Sequence, residues 1–596
     1  MAGLDPFGLL VEELKSDEIQ DQLAAAKRLN TIALNMGPDR CRSQLLPFLR
    51  LGVDEYTDEI LMAIAEGAGN LVPAVGGGDY AHLLLPLLEA LAEKEETLVR
   101  AKAVDSVVTV GKAMPPSTIQ AELAPLVKRL AGAEFFPSKI SAAGLFASIY
   151  PTTSPAQRSA LRKLFDGLAK DEMPMVRSAA FAHMPALAAV VEKDVLMTEI
   201  SPLFNELASD LQESVREMAL ENMVKMVKRL TPEEAVQIFG KFFDGLAAER
   251  CSSMRVHKAT HFVELVGALH PVRNIRDQVP LYVALLANDG ETEVRNAAAK
   301  NLGTFCAKLD KATILSGILP VLRELTQPPA GQTAQASFAQ NQLVREHIAE
   351  HLSSLAPILE RDSTIKEILP LIKVFLADDL IEIKRKALAS LGPVVETLGP
   401  EQTEALLLPD VIRMSEDPQW RVRLSVVETL PVYATHLGMD MFNNLMREIQ
   451  IRALGDGVAH IRERAVQNLE RLSAVFGAHG AQWTEEQLLP CILDAAKNSG
   501  PSGYLGRITA LQAAARLADV LPARVTTEVL VPQVVVPLSQ DPVANVRIAA
   551  AQALRRISSC LSGEQRAFVN TTIRPMLQDL AKDSDPDVKY LCESAN

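Results

Sequence analysis

The chain has 596 residues, of which 48% are hydrophobic and 22% are charged, and its formal net charge is −14. This negative balance argues against a nucleic-acid-binding protein, which needs a clustered basic face for the phosphate backbone. The apolar stretches are interrupted by proline and charge and are shorter than the roughly 20 residues that span a bilayer. The acidic N-terminus lacks the pattern of a signal peptide. We therefore expect a cytoplasmic or nuclear protein that does not insert into membranes.

The six cysteines are scattered, with no paired spacing of the kind that a disulfide framework or a zinc site shows. We expect them to be buried thiols of a reducing compartment, and we expect neither a metal nor another cofactor. Their positions are Cys41, Cys251, Cys306, Cys491, Cys560 and Cys592.

A basic residue that follows a β-branched aliphatic residue returns along the chain at a spacing near 39, which is typical of a two-helix repeat. In eight cases an aspartate stands six positions before it. These pairs are Asp171/Arg177, Asp210/Arg216, Asp289/Arg295, Asp378/Lys384, Asp417/Arg423, Asp456/Arg462, Asp541/Arg547 and Asp583/Lys589. Stacking of identical repeats predicts that each basic residue lies near the aspartate of its neighbour, forming a ladder along one edge.

Weaker copies of the aliphatic position fill the rest of the chain and bring the number of repeats to fifteen. The sequence therefore predicts an all-α solenoid with a hook or horseshoe shape and no separate catalytic domain. The copies are Leu23, Ile60, Val99, Ile140, Val176, Val215, Val256, Val294, Val344, Ile383, Val422, Ile461, Leu505, Val546 and Val588.

Within a repeat, two apolar stripes with helical spacing flank a short polar turn. In the repeat over residues 401–438 the turn contains Asp417 and Pro418, which we expect to be the N-cap and the first residue of the second helix. A Leu-Leu-Pro pattern recurs in the first helix and predicts a bend or a boundary there. Its prolines are Pro47, Pro86, Pro320, Pro370, Pro409, Pro490 and Pro532.

One motif is typical of an enzyme. Residues 347–351 read His-Ile-Ala-Glu-His, which matches the zinc-binding pattern of a class of metalloproteases. It lies in register with the other repeats on a second helix, with no third acidic ligand in view. We therefore favour a chance match and assign no catalytic residue.

With Leu-Pro in the first helix, Asp and Val-Arg before the second, and this period, the chain resembles the HEAT repeats. Fifteen such repeats resemble the scaffold subunit family of protein phosphatase 2A. The strings that sharpen the resemblance span residues 42–591; they include RSQLLPFL from Arg42, EETLVRAKAV from Glu95, PMVRSAA from Pro174, WRVRLSVVE from Trp420, DPVANVR from Asp541 and DVKYL from Asp587.

The resemblance implies a non-catalytic scaffold. It implies a heterodimer with a serine/threonine phosphatase catalytic subunit, which becomes a heterotrimer when an exchangeable regulatory subunit joins. Repeats 11 to 15, residues 401–596, would hold the catalytic subunit, whereas repeats 1 to 10, residues 1–400, would hold the regulatory one. The expected catalytic-subunit contacts are Trp420, Arg421, Tyr504, Leu505, Arg507, Asp541, Pro542, Val543 and Asn545. The expected regulatory-subunit contacts are Thr97, Arg100, Phe136, Lys139, Pro174, Met175, Arg177 and Ser214.

The chain departs from the family pattern at three places. Ala459 and His460 stand where the family usually has a tyrosine, Phe136 stands where it has a tryptophan, and residues 326–341 form an expected surface insertion. The alternative function is that of a nuclear-transport or vesicle-adaptor solenoid, which would explain the repeats but not the matching strings.

Overall fold

The structure, a computed structural model, describes residues 5–245, 251–269, 274–327, 340–497 and 503–593. Over these residues the chain is built from helices and contains no strand. The predicted all-α fold of fifteen two-helix repeats is confirmed. Most of the insertion expected at residues 326–341 lies outside the described residues, which omit 328–339.

The chain divides into two compact units, residues 1–285 and 286–596. This division does not coincide with the functional boundary expected at residue 400, which stays a prediction.

The second helices pack against one another in series within each unit and form one layer of the stack. In the first unit they are Ile19–Lys27, Asp58–Gly69, Thr97–Ala113, Phe136–Ala143, Pro174–Val190, Glu213–Arg216 with Ala219–Val227, and Ser252–Leu269. In the second unit they are Thr292–Lys300, Gln342–His351, Ile381–Ala389, Trp420–Leu445, Ala459–Val475, Tyr504–Leu517, Ala544–Cys560 and Pro586–Glu593.

The first helices form the other layer and are more often broken. Their principal segments are Pro6–Leu14, Leu46–Leu51, Leu85–Ala92, Ala124–Ala131, Pro155–Ala169, Ser201–Leu207, Pro232–Gly245, Val279–Val283, Leu319–Thr326, Leu369–Leu376, Leu408–Met414, Arg447–Leu454, Leu489–Lys497, Thr526–Val535 and Arg574–Leu580.

The recurring prolines mark the breaks, as predicted. Pro47, Pro320 and Pro370 each follow a π-helical turn that ends two residues earlier, and Pro532 lies inside one. A proline has no N–H to donate and its ring crowds the carbonyl of the preceding turn. A wider π turn accommodates both effects.

The core lies between the two layers and is formed by the apolar stripe of each helix. In repeat 11, for example, Val422, Val426 and Leu430 of the second helix and Leu408 and Val411 of the first are almost fully buried. None of the helices in the described residues is long and apolar enough to cross a membrane.

All six cysteines are free, but only Cys41, Cys306 and Cys592 are buried. The expectation of buried thiols is therefore correct for these three, whereas Cys251 and Cys560 are partly exposed and lie near carboxylates, Cys560 with its Sγ 2.6 Å from Asp519 Oδ1.

Candidate protein-binding surface

The turn between the two helices of a repeat is held by the aspartate that recurs in it. In all eight predicted pairs the Asp carboxylate accepts a hydrogen bond from the backbone N–H two residues later, at 2.8–3.0 Å. In several repeats the arginine six positions later donates to the carbonyl of the same aspartate, as Arg423 does to Asp417 at 2.9 Å. These bonds satisfy the buried polar groups of the turn and fix its backbone.

This geometry corrects one expectation. Asp417 is not the N-cap of the second helix, because that helix begins at Trp420 and Gln419 precedes it. The carboxylate of Asp417 instead accepts from the N–H of Gln419 at 2.8 Å, which places Pro418 in the turn. In the last repeat the pattern does work as expected, because Asp585 accepts from the N–H of Val588 at the start of helix Pro586–Glu593.

The predicted ladder is confirmed wherever the next repeat supplies the aspartate. The outer edge of each basic side chain reaches the carboxylate of the following turn, and most of these side chains are largely buried. The pairs and their N–O distances are Arg177–Asp210 (2.7 Å), Arg345–Asp378 (2.6 Å), Lys384–Asp417 (3.6 Å), Arg423–Asp456 (2.9 Å), Arg507–Asp541 (2.6 Å) and Arg547–Asp583 (2.6 Å). In repeat 8, Arg295 bonds instead to the amide oxygen of Asn341 at 2.8 Å.

The last rung predicts how stability depends on pH. The hydrogen bond from Arg547 lowers the pKa of Asp583 from its usual 3.8 to about 2. Because the folded pKa lies below the unfolded one, the rung stabilises the fold fully above about pH 4 and loses this effect as pH falls through about 2. Asp583→Asn should therefore cost about 2 kcal/mol at pH 6, and the difference from wild type should shrink towards pH 2.

Urea unfolding at pH 6, 4, 3 and 2 would measure this difference, with Asp587→Asn, at an exposed position of the same repeat, as the control. A difference between wild type and Asp583→Asn that stayed constant over this range would contradict the assignment.

In repeat 11 the structure brings Trp420 and Arg421 together at the start of the second helix. The Trp420 ring is half-buried, and the guanidinium carbon of Arg421 lies 4.7 Å from its centroid. The ring also meets His460 of repeat 12 edge to face, with centroids 6.4 Å apart. His460 therefore supports the neighbouring tryptophan, a role that its replacement of the family's tyrosine did not suggest.

In repeats 13 and 14 the predicted residues divide into a buried pair and exposed neighbours. Arg507 and Asp541 are 6% and 7% exposed and form a two-bond ion pair, Nε to Oδ2 at 2.6 Å and the second nitrogen to Oδ1 at 3.1 Å. Their side chains hold the two turns together. The surface around them consists of Tyr504, Leu505 and Val543, which are half-buried, and of Pro542 and Asn545, which are exposed.

In repeats 3 and 4 the same division appears among the predicted regulatory-subunit contacts. Arg100 is buried, and its guanidinium donates to the carbonyl of Lys94 at 2.8 Å and to the hydroxyl of Thr97 at 3.2 Å. Phe136 is half-buried against Phe135, and Lys139 pairs with Asp171 of the next repeat at 2.8 Å. Thr97 is exposed.

In repeats 5 and 6, Met175 and Ser214 are exposed and Pro174 is half-buried. Arg177 is occupied by its ladder partner, since it makes bonds of 2.7 and 2.9 Å to the two oxygens of Asp210. The hydrogen bond from Arg177 lowers the pKa of Asp210, so the pair is charged at neutral pH.

The sequence analysis missed a set of apolar side chains that stand exposed on the same turns. They are Leu98 in repeat 3, Phe135 in repeat 4, Met173 in repeat 5 and Leu211 in repeat 6, and Leu211 is 95% exposed. Exposed apolar residues that recur on consecutive repeats mark an interaction surface. The available signal was an apolar residue within a polar turn, close to a predicted contact.

The metalloprotease-like motif lies on helix Gln342–His351. Glu350 pairs with Lys386 of the next repeat at 3.0 Å, and His347 Nδ1 is 3.5 Å from Glu350. Burial lowers the pKa of His347 and of His351. Across the described parts of the chain, no group of three or more His, Cys, Asp or Glu side chains is placed to hold a metal ion.

Comparison with known proteins bears on the identity of this surface. A PPP2R1A-like HEAT repeat model matches residues 275–338, and a HEAT repeat model matches residues 530–561. The beta isoform of the human 65 kDa regulatory (scaffold) subunit of serine/threonine-protein phosphatase 2A is 47% identical over 397 residues, which cover 66% of this chain and 64% of the human protein. The chain belongs to the same HEAT-repeat family as this 65 kDa subunit.

Other relatives of the 65 kDa family match over shorter stretches. The alpha isoform of the 65 kDa regulatory subunit from Arabidopsis thaliana is 44% identical over 33% of each chain. The protein phosphatase 2A scaffold subunit of Dictyostelium discoideum is 41% identical over 33% of this chain and 34% of its own length. The matched segments thus span less than two thirds of these relatives.

Solved structures similar to this homologue of the 65 kDa subunit include karyopherins. Kap121p bound to the extreme C-terminus of the protein phosphatase Cdc14p has a TM-score of 0.53 at 13% identity, covering 99% of this chain and 69% of that one. A structure of Kap95p with RanGDP has a TM-score of 0.57 at 11% identity, covering 100% and 82%. At such low identity the likeness shows a shared solenoid fold and nothing about partners.

Proposed function

We propose that this protein is a non-catalytic scaffold that assembles a serine/threonine phosphatase catalytic subunit with an exchangeable regulatory subunit. The catalytic subunit would bind the turns of repeats 11, 13 and 14, and the regulatory subunit the turns of repeats 3 to 6. The names of the 65 kDa relatives support this proposal. The observation that carries it is a surface of exposed side chains on consecutive turns whose backbones are fixed from within.

The ladder explains how this surface could recognise partners. Arg100, Arg177, Arg507 and Asp541 are held inside the turns, so they position the surface residues around them. The contacts would then come from the exposed or half-buried residues, such as Trp420. A surface that is rigid before binding loses less entropy when a partner docks.

A scaffold of this kind would act through proximity. Two subunits held on one chain meet at a high effective concentration and in one orientation, without any new contact between them. The regulatory subunit would then present substrates to a catalytic site that the scaffold itself does not contain. The scattered cysteine spacing supports our further proposal that this assembly is cytoplasmic or nuclear.

Exposed residues of repeats 5 and 6 provide a test of the regulatory surface. The double variant Met175→Glu, Leu211→Glu should bind a regulatory subunit more weakly, by a factor of at least about ten, because it places two charges at an apolar contact. Catalytic-subunit binding should not change, because that site is proposed in repeats 11, 13 and 14. Separate titrations of the full chain with each subunit would measure both affinities.

The matched control is Leu34→Glu, Leu51→Glu, which adds the same charges at exposed leucines of repeats 1 and 2. If the affinity for the regulatory subunit fell equally in both double variants, or in neither, the assignment of this surface would be contradicted.

A further inference from the structure

The ladder is interrupted at the arginine of repeat 12. Arg462 Nη1 donates to the carbonyls of Asp456 at 2.7 Å and Gly457 at 3.2 Å in its own turn. Its counterpart Arg423 makes the same bond and also reaches the next aspartate with two others. Within the described residues no carboxylate pairs with Arg462.

The amino-acid sequence explains the interruption. In the pairs that close, the carboxylate follows its arginine by 33 to 36 residues, as in Arg423–Asp456 and Arg547–Asp583. For Arg462 this interval falls on residues 495–498, and the whole segment 495–506 contains no acidic residue. The next repeat therefore carries no carboxylate at the position that would close this rung.

The guanidinium of Arg462 is nevertheless buried. The residue is only 7% exposed and lines a cavity of about 300 Å³ between repeats 12 and 13. A buried cation without a counter-ion is costly, and removing one partner of such a pair commonly destabilises a protein by about 3–5 kcal/mol. An anion that entered the cavity would relieve that cost.

The rest of the cavity wall favours a carboxylate on an apolar stem. Ile451, Leu454, Ile492 and several alanines provide the apolar part of the lining. The Thr509 hydroxyl donates to the carbonyl of Leu505 at 2.9 Å, which leaves its oxygen as an acceptor and directs an incoming anion to the arginine.

One carboxylate of the chain also lines the cavity, that of Asp456. Its charge is already balanced by Arg423, and one of its oxygens accepts from the N–H of Val458 at 2.9 Å. Asp456 is therefore committed to the preceding rung and does not neutralise Arg462.

We propose that this cavity is a carboxylate-binding site, in which a carboxylate on a short apolar stem pairs with Arg462 and completes the interrupted rung. The carboxylate could come from an acidic side chain of a protein bound over repeats 12 and 13, or from a free small carboxylate. The first source rests on the proposed function, whereas the second does not. Arginine suits either, because its planar fork accepts both oxygens of a carboxylate.

The first experiment titrates glutarate, a carboxylate on a three-carbon stem, into the full chain by calorimetry. Wild type should bind it saturably, and Arg462→Gln should bind it at least about tenfold more weakly. The matched control is Arg471→Gln, which removes the same charge from an exposed position on the same helix, Ala459–Val475. Arg462→Lys, which keeps the charge but loses the fork, should fall between wild type and Arg462→Gln, and circular dichroism would verify that each variant is folded.

The second experiment titrates the same variants with a phosphatase catalytic subunit, with and without glutarate. Selective weakening by Arg462→Gln together with competition by glutarate would identify an acidic side chain as the source. Glutarate binding that depends on Arg462, with no effect on the subunit, would identify a free carboxylate. If Arg462→Gln matched Arg471→Gln in both experiments, the site would be refuted. If wild type bound no catalytic subunit, the proposed function would fail while the glutarate titration still decided this site.

Discussion

Asp541→Ala is expected to destabilise repeats 13 and 14 by about 3–5 kcal/mol, the usual cost of leaving one member of a buried ion pair without its partner. The carboxylate accepts two hydrogen bonds from Arg507 and one from the N–H of Val543. All three would be lost, and the Arg507 guanidinium would remain buried. Because repeats are stabilised mainly by their neighbours, we expect the effect in hydrogen-exchange protection of helices Tyr504–Leu517 and Ala544–Cys560, and in the urea midpoint.

The double variant Arg507→Met, Asp541→Leu separates the cost of an orphaned charge from the value of the pair. Replacing both charges by apolar groups should recover much of the stability, since buried pairs are often worth little against apolar packing. Asp587→Ala, at an exposed position, controls for the loss of a carboxylate. Equal losses in the Asp541 and Asp587 variants would show that the buried pair has no special weight.

Trp420→Ala is expected to weaken catalytic-subunit binding about 30-fold, which corresponds to roughly 2 kcal/mol for a tryptophan truncated at a desolvated contact. The ring is half-buried, with Arg421 against it and His460 at its edge. The affinity for the regulatory subunit should change little, and so should the melting temperature, because the ring lies outside the core between the layers. Titration of the variant with each subunit separately, together with thermal unfolding, would measure the three effects.

His460→Ala provides the matched control for this prediction. It removes the ring that meets Trp420 but keeps the tryptophan, so a smaller loss is expected than for Trp420→Ala. If Trp420→Ala left the affinity for the catalytic subunit unchanged, or weakened both subunits equally, Trp420 would serve only the packing of the repeats.

Periodicity was sufficient to predict the fold and the ladder, because each repeat makes its contacts with its sequence neighbours. A spacing near 39 then becomes a distance of a few ångströms, as in Arg177–Asp210. The prolines were equally readable, since a missing N–H has a local consequence. Helix starts were less so: the Asp417 carboxylate has two backbone N–H groups within reach by sequence, and only the geometry of the turn selects Gln419.

The candidate surface was predictable in position but not in exposure. Arg507 and Asp541 match a family pattern, yet they face each other inside the stack. Leu211 and Leu98 belong to the same turns, yet they point outward, and nothing in their local sequence separates them from core leucines. Burial depends on where the neighbouring repeat lies, which a single repeat does not specify.

The two layers of each unit should also respond differently to an applied force. The ladder links successive turns through short ionic bonds between side chains that are mostly buried, so that edge resists stretching. The first helices carry a wide π turn beside a proline at the same level in repeats 2, 9 and 10, where the hydrogen-bonded register is already loosened. Under load, elastic extension should therefore concentrate in the first-helix layer, with the rungs of the ladder as the pivot.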